Sequence, residues 1–374
     1  MLFRAFWVEN SNGERADHMR DWRLSIRLGA FHWMAVLLCA VLSPLQTSQA
    51  QDFETIDLDS KVYKNGRPIL VHLPTAYQEE ARKYPVLYVL NGEDNFRWAS
   101  QIADLLAELN EIDSMIVVGL PDQGDYGGDN YPFASEETSD PSPDAARYAA
   151  FLRSEVIPYV DANYRTEKAR FIAGHSLSGL FVTNLFLTDP DGFNLFIATS
   201  PSLQYAPQMS GMVQEQLNSG GERGALYFTI GELEHKLIQD GFSRMRAVLE
   251  AHGSERDSIQ VDSIPYNNHR SAAYAGLYDA LSWAYSGWGT HESMPERFGS
   301  VEGIVAHYQR LSDRLGYEIK PREGDLAGMA GFLLHKLSDP EGAAIGYQAE
   351  LHFYPDSEEA EEGYEQALAA SSDE

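Results

Sequence analysis

The sequence predicts an α/β fold, with a mainly parallel central sheet covered by helices on both faces and a small all-α domain after it. Three patterns carry this. Between residues 84 and 285, apolar runs of strand length alternate with amphipathic segments of helical spacing, the rhythm of parallel strands joined by crossover helices. Before them, two stretches alternate apolar and polar residues, as an antiparallel edge wetted on one side does. After Trp288 every periodic segment is helical.

Residues 53–58 and 67–73 are the alternating edge strands. Tyr84-Pro85-Val86-Leu87-Tyr88-Val89-Leu90 is a buried strand ending at the turn Asn91-Gly92. Residues 96–110 carry Trp98, Ile102, Leu105, Leu106 and Leu109 at helical spacing, and 115–120 form the next strand. A helix over 145–160 precedes the strand at 169–173 and the helix at 180–187. Strands follow at 195–199, 225–230 and 258–264, with helices at 242–251 and 271–285. Residues 121–143 interrupt the rhythm. They are rich in Asp, Gly, Ser and Pro and carry Tyr126, Tyr131 and Phe133, which reads equally as a solvated loop or as a wall over a pocket. The C-terminal helices are expected at 301–315, 326–337, 343–353 and 358–369, the last two separated by Tyr354-Pro355-Asp356. The expected domains are therefore 51–288 and 298–374, joined by a linker over 288–297. Removing the second should leave the first folded and functional.

The first fifty residues read as a signal peptide: Arg20, Arg23 and Arg27, an apolar run over 30–42, and Ser48-Gln49-Ala50 with small residues where a signal peptidase cuts. Met19 is an alternative start, and an uncleaved anchor is the alternative fate, but the apolar run is short for a membrane span. The single cysteine, Cys39, lies in this segment. The mature chain then has neither a cysteine nucleophile nor a thiolate metal site. The whole chain carries 28 basic and 56 acidic residues, a net charge of −28. Such a surface repels nucleic acid and anionic membranes.

The chemistry is concentrated at Gly174-His175-Ser176-Leu177-Ser178-Gly179, between a strand and a helix. Small residues flank Ser176 because a sharp strand-to-helix turn leaves no room for bulk. The turn raises the serine hydroxyl over the sheet edge and sets the Leu177 amide at a helix start, where it can hold an oxyanion. Ser178 stands where glycine is usual. A serine nucleophile needs a base, an acid and amide donors. His269, in the polar turn Pro265-Tyr266-Asn267-Asn268-His269 after the last strand, is placed to be the base. His175 reads as packing in the turn, and His235 and His252 as surface positions. The acid should follow the strand at 225–230, where Gly231-Glu232-Leu233-Glu234 offers two carboxylates and Asp240 a distant third. Glu234 is preferred, being further into the loop. The second oxyanion amide should come from Asn91-Gly92-Glu93, at Gly92 or Glu93. No pattern for a metal, cofactor or phosphate loop competes.

At these residues the chain resembles the esterase branch of the α/β-hydrolases, which includes esterase D-like, feruloyl esterase-like and siderophore esterase-like proteins and the mycolyltransferases. The resemblance rests on Val86-Leu87-Tyr88-Val89-Leu90-Asn91-Gly92, Gly174-His175-Ser176-Leu177-Ser178-Gly179, Ser200-Pro201-Ser202-Leu203, Gly231-Glu232-Leu233-Glu234 and His269, and spans residues 53–286. Asn91 stands where the family often has Asp. The Arg-rich stretch many relatives carry after the fourth strand is not reproduced at 122–130. The C-terminal helices resemble a tetratricopeptide-like tail, on Pro340-Glu341-Gly342-Ala343-Ala344 and Tyr354-Pro355-Asp356. The resemblance implies an α/β-hydrolase fold and a periplasmic or secreted serine carboxylic ester hydrolase. It would act on a small-molecule ester through Ser176, His269 and Glu234, with no cofactor, no nucleic acid and no membrane insertion after cleavage. The C-terminal helices would be a surface for protein contact. Acyl transfer by the same triad, or binding on an inactive scaffold, are the alternatives.

Overall fold

The computed structural model describes residues 53–121, 131–132, 142–221, 223–253 and 258–372. The signal segment and most of the 121–143 loop lie outside the described residues.

Eight strands form one sheet. They are β1 (Glu54–Ser60), β2 (Asn65–His72), β3 (Tyr84–Leu90), β4 (Ile116–Leu120), β5 (Thr166–His175), β6 (Leu195–Thr199), β7 (Ala225–Gly231) and β8 (Ile259–Ile264), in the spatial order β1-β2-β4-β3-β5-β6-β7-β8. The β1–β2 and β2–β4 pairs are antiparallel and all later pairs parallel. The alternating N-terminal stretches are thus the antiparallel edge. The continuous apolar runs are the parallel centre, where both faces are covered. α1 (Gly92–Glu108) follows β3. α2 (Pro143–Phe151), a π-turn at Leu152–Val156 and α3 (Ile157–Asn163) precede β5, and α4 (Leu177–Thr188) follows it. α5 (Met209–Ser219) joins β6 to β7, α6 (Lys236–Gly253) joins β7 to β8, and α7 (His269–Ala284) follows β8.

Two findings differ from the sequence expectation here. The single helix expected over 145–160 is broken by the π-turn, because Pro158 has no N–H to donate to the preceding turn. Helix α5 was not expected. Met209, Val213 and Leu217 mark its buried stripe, but these residues scattered among Ser, Gly and Gln are a weak signal.

Alternation along the strands sorts the core. Val86, Tyr88 and Leu90 face the layer of α2, α4, α5 and α6. Leu87 and Val89 face α1 and α7, and that second cluster continues into the C-terminal helices. These are α8 (Met294–Phe298), α9 (Val301–Leu315), α10 (Glu323–Phe332), a π-turn at Leu333–Leu337, α11 (Pro340–Phe353) and α12 (Glu358–Ser372). Ile304, Tyr308, Leu311 and Leu315 on α9 share one apolar cluster with Leu281, Tyr285 and Trp288. Each such side chain contributes about 1.5–3 kcal/mol on full burial. Asp52–Glu374 accordingly form one compact unit. The stretch expected as a linker is packed in. Trp288 and Met294 are buried, the Tyr308 hydroxyl donates to the Trp288 carbonyl at 2.6 Å, and α8 begins within it. Its polar residues mask those two anchors in the sequence. A polar line crosses the same contact: Tyr285 and Tyr317 share a hydroxyl hydrogen bond of 2.7 Å. Tyr317 also donates to Asp113 at 3.3 Å, and Asp113 pairs with Arg82 at 2.8 Å.

Candidate active site

β5 delivers Ser176 into a turn that only a crowded, small-residue sequence allows. Ser176 has φ 60° and ψ −119°, a conformation that costs a non-glycine residue on the order of 1–3 kcal/mol. A Cβ on Gly174 would run into the Ser178 carbonyl, so the helix can start immediately behind the strand. The Ser176 amide donates to the Thr199 carbonyl at 3.1 Å, fixing the turn to β6. The side chain is nearly buried, 7% exposed.

Three chain segments separated by tens of residues meet at that hydroxyl. The Ser176 hydroxyl lies 2.9 Å from His269 Nε2. His269 Nδ1 lies 3.0 Å from both carboxylate oxygens of Glu234. The Glu234 side chain is wholly buried. Burial alone would raise its pKa, but the hydrogen bond from His269, the Ser200 hydroxyl and the nearby imidazoles outweigh it and hold the group below its ordinary value. An ionised carboxylate only accepts, so Nδ1 carries the proton and Nε2 is left as the acceptor for the Ser176 O–H.

The two loops that carry the acid and the base are sewn to each other. The amides of Glu232 and Leu233 donate to the carbonyls of Ile264 (3.0 Å) and Asn267 (2.8 Å). The Gln239 side chain ties down the carbonyls of Glu232 (3.1 Å) and Glu234 (3.0 Å). Gly231 has Asn267 directly over it, with no room for a Cβ. Asn268 caps α7 in a capping box with Ser271, which sets His269 as the first helical residue.

The sequence offered three carboxylates for the acid, with Glu234 preferred, and the three stand in different surroundings. Glu234 meets the imidazole. Glu232 points to the neighbouring turn and accepts from the Tyr266 amide at 3.2 Å. Asp240 pairs with Lys236 at 2.7 Å on the exposed side of α6. Of the other histidines, His235 is exposed, while His252 is part-buried and its Nε2 donates to Asn218 Oδ1 at 2.8 Å, tying α6 to α5.

Two residues have more to do here than the sequence suggested. His175 was expected only to pack. Its Nε2 donates to the His269 carbonyl at 2.6 Å, and its ring lies 4.5 Å from the His269 ring. Burial and the neighbouring His269 ring push its pKa down to about 4, so it stays a neutral donor. Ser202 has its hydroxyl 3.1 Å from the Ser176 hydroxyl, and its amide donates to the Ser176 carbonyl at 3.0 Å. Its only sequence signal was its place in the Ser200-Pro201-Ser202-Leu203 segment.

Leu177 is the first residue of α4, so its amide has no intrahelical acceptor. Gly92 and Glu93 open α1 behind Asn91, with φ of 72° at Asn91 and 93° at Gly92. β3 and β5 are neighbours, so these two helix starts stand side by side at the same sheet edge.

The family follows from the sequence match that spans this whole arrangement. Residues 60–284 match the model of the Esterase family, described as "Putative esterase". The chain belongs to the Esterase family. It is a carboxylic ester hydrolase of the α/β-hydrolase superfamily. An IroE-like serine hydrolase from Shewanella oneidensis superposes with a TM-score of 0.65 at 20% identity, over 80% of this chain and 99% of that one. Siderophore hydrolase EstA from Aspergillus nidulans superposes at 0.53 and 15% identity, over 65% of this chain and 97% of that one. Both likenesses are of fold. Ferri-bacillibactin esterase BesA from Bacillus subtilis (strain 168) is 40% identical over 62 residues, which is 16% of this chain and 22% of that protein. The match thus spans about a fifth of that relative's length.

Proposed function

We propose that this esterase works through an acyl-enzyme on Ser176, with His269 as base and Glu234 as the orienting acid. The observation that carries the reading is the unbroken line of hydrogen bonds from Ser176 through His269 to Glu234, 2.9 Å and then 3.0 Å. As the Ser176 oxygen attacks the acyl carbon, its proton passes to His269 Nε2. Buried Glu234 stabilises the imidazolium that forms. The amides of Leu177 and of Gly92 or Glu93 hold the oxyanion. His269 then protonates the leaving alkoxide. Water enters, gives its proton to the same nitrogen, and releases the acid. His175 and Ser202 are positioning residues: the first holds the backbone of the base, the second the rotamer of the nucleophile.

The substrate is a small-molecule ester with apolar or aromatic parts. Leu233 and Tyr266, on the loops that carry Glu234 and His269, and Leu237, in the first turn of α6, are 61%, 88% and 59% exposed, and Tyr131 donates to the Tyr205 carbonyl at 2.7 Å near Ser202. The siderophore hydrolase and the ferri-bacillibactin esterase among the similar proteins add siderophore esters to the panel worth assaying. Export to the periplasm or medium after cleavage at Ala50 is part of the proposal, as is protein contact through the C-terminal helices. Among the described residues no helix is long and apolar enough to cross a membrane. A serine-directed phosphonate followed by peptide mapping tests the mechanism. The label should sit on Ser176; a label elsewhere, or none on an active enzyme, overturns it. N-terminal sequencing of protein from the native host tests export.

A further inference from the structure

A cavity of about 30 Å³ lies between α1 and α7, against the ends of the strands that carry the hydrolytic centre. Its floor includes Gly174 and His175, the two residues before Ser176, with Thr199 at the end of β6 beside them. Asn95 and Ala273 line its walls. Each stands about one turn into its helix, Asn95 below the Gly92–Glu93 amides on α1 and Ala273 below His269 on α7. The cavity therefore sits one turn beneath the proposed oxyanion donors on one side and the base on the other. Trp98 and Tyr274 close it. Their rings meet at 5.2 Å, and Trp98 is 49% exposed, so the indole has the cavity on one side and water on the other.

The lining suits hydrocarbon. Among the described residues, no acid, lysine or arginine borders the cavity. Its polar side chains are already bonded to backbone carbonyls: Asn95 donates to Asn91 at 2.9 Å, His175 to His269 at 2.6 Å and Thr199 to Gly174 at 3.2 Å. Val89, Leu90, Ala173, Ile197 and Leu277 supply most of the remaining surface. A cavity of this kind holds water poorly and admits an apolar group. Its volume is about the share of one water in the liquid, roughly 30 Å³, so it takes a methyl-sized group and not a ring. Past the indole the apolar surface continues. Ile102, one turn after Trp98, is part-buried, and Leu105 on α1 and Tyr278 on α7 are exposed.

We propose that this cavity is the acyl subsite of the esterase, and that Trp98, held by Tyr274, sets the length of acyl group the enzyme accepts. The inference rests on the Ser176 mechanism above. With the ester carbonyl oxygen at the amides of Leu177 and of the Gly92–Glu93 turn, the acyl methyl of an acetate enters between α1 and α7. A longer chain meets the indole. The substrate is thus an ester of a short, unbranched aliphatic acid, and its aromatic or bulky part is the alcohol, on the side where Leu233 and Tyr266 stand exposed. Removing the indole joins the cavity to the apolar surface of Ile102, Leu105 and Tyr278, which gives a long chain somewhere to lie.

Nitrophenyl alkylphosphonates carrying a methyl, butyl or octyl group test this on the full chain. The serine oxygen bonds to phosphorus as nitrophenolate leaves, and the alkyl group takes the acyl side. In the parent, the labelling rate should fall at least about 100-fold from methyl to octyl, since each methylene a pocket cannot hold costs about tenfold or more. Trp98→Ala should raise octyl labelling about 10- to 100-fold and leave methyl labelling within about threefold. Trp98→Phe should fall between, and Tyr274→Ala should shift the profile the same way as Trp98→Ala. kcat/KM on nitrophenyl acetate, butyrate and octanoate should follow the same order, with circular dichroism to show the variants folded. Peptide mapping of the labelled protein separates this inference from the mechanism beneath it. A label on a residue other than Ser176 overturns the mechanism and the subsite with it. A label on Ser176 that forms equally fast from methyl and octyl in the parent overturns the subsite alone, as does an octyl rate unmoved in both Trp98→Ala and Tyr274→Ala.

Discussion

Exchanging each carboxylate of the acid loop for its amide separates the proposed roles sharply. In Glu234→Gln the side chain stays in a fully buried slot with both of its terminal atoms 3.0 Å from His269 Nδ1 in the parent. Two things are lost. The amide carries no charge to stabilise the imidazolium, and its NH2 end can face Nδ1, which turns the imidazole into the tautomer with its proton on Nε2. That nitrogen then has no lone pair for the Ser176 O–H. The corresponding change in a serine protease costs on the order of 10⁴ in kcat, or about 5.5 kcal/mol of barrier. Glu232→Gln keeps an oxygen for the Tyr266 amide at an exposed position. A bond that survives the substitution is worth less than about 1 kcal/mol of change, so the loss should stay under roughly fivefold. The assay is kcat/KM on nitrophenyl acetate, with circular dichroism to show both variants folded. A Glu234→Gln enzyme retaining a tenth of the parent activity, or a Glu232→Gln enzyme that is the inactive one, would refute the assignment of the acid.

Ser176→Ala should lower kcat by about 10⁶. Ser178→Ala should change it little, because the buried Ser178 hydroxyl has no hydrogen-bond partner among the described residues; initial-rate kinetics on the two variants decide. His175 stays neutral in the fold down to about pH 4 but takes a proton near 6.5 when unfolded. Between those values the unfolded chain binds the extra proton, so stability rises with pH, by about 3 kcal/mol at most. Urea unfolding at pH 4.5 and 7.5 should show that slope in the parent and its loss in His175→Gln. Deletion from Ser293 onward should strip the cover from Leu281, Tyr285 and Trp288 and yield an aggregating or unfolded protein. A soluble truncation with parent-like activity on nitrophenyl acetate would show that the shared cluster is dispensable.

What could be read from the chain alone was what short-range pattern encodes. The central strands β3, β4, β6 and β7 are buried on both faces and could hardly be anything else. The Ser176 turn announces itself because its neighbours must be small. His269 was readable as the candidate base because the order of nucleophile, acid and base along such a sheet is constrained. The preference for Glu234 over Glu232 rested on reach alone, since both follow the same strand; the bonds to Ile264, Asn267 and Gln239 that set the loop are not visible in the sequence. His175 reaches a backbone carbonyl 94 residues away, a contact that no local pattern reports. The linker reading failed for a related reason: Trp288 and Met294 look like isolated apolar residues until α9 is folded against them.

The Tyr317–Asp113 bond joins residues 204 positions apart, and the cluster around it draws on residues from Leu70 to Ala367. The sheet's second face therefore cannot close until residues as far along as Ala367 have been made. A chain whose core is completed by its last helices stays open along most of its synthesis, at the cost of slow, long-range closure. For a protein proposed to leave the cytoplasm this is useful timing, because a translocation channel accepts an open chain. The C-terminal helices would then act as a latch that fastens only once the whole polypeptide has arrived on the far side.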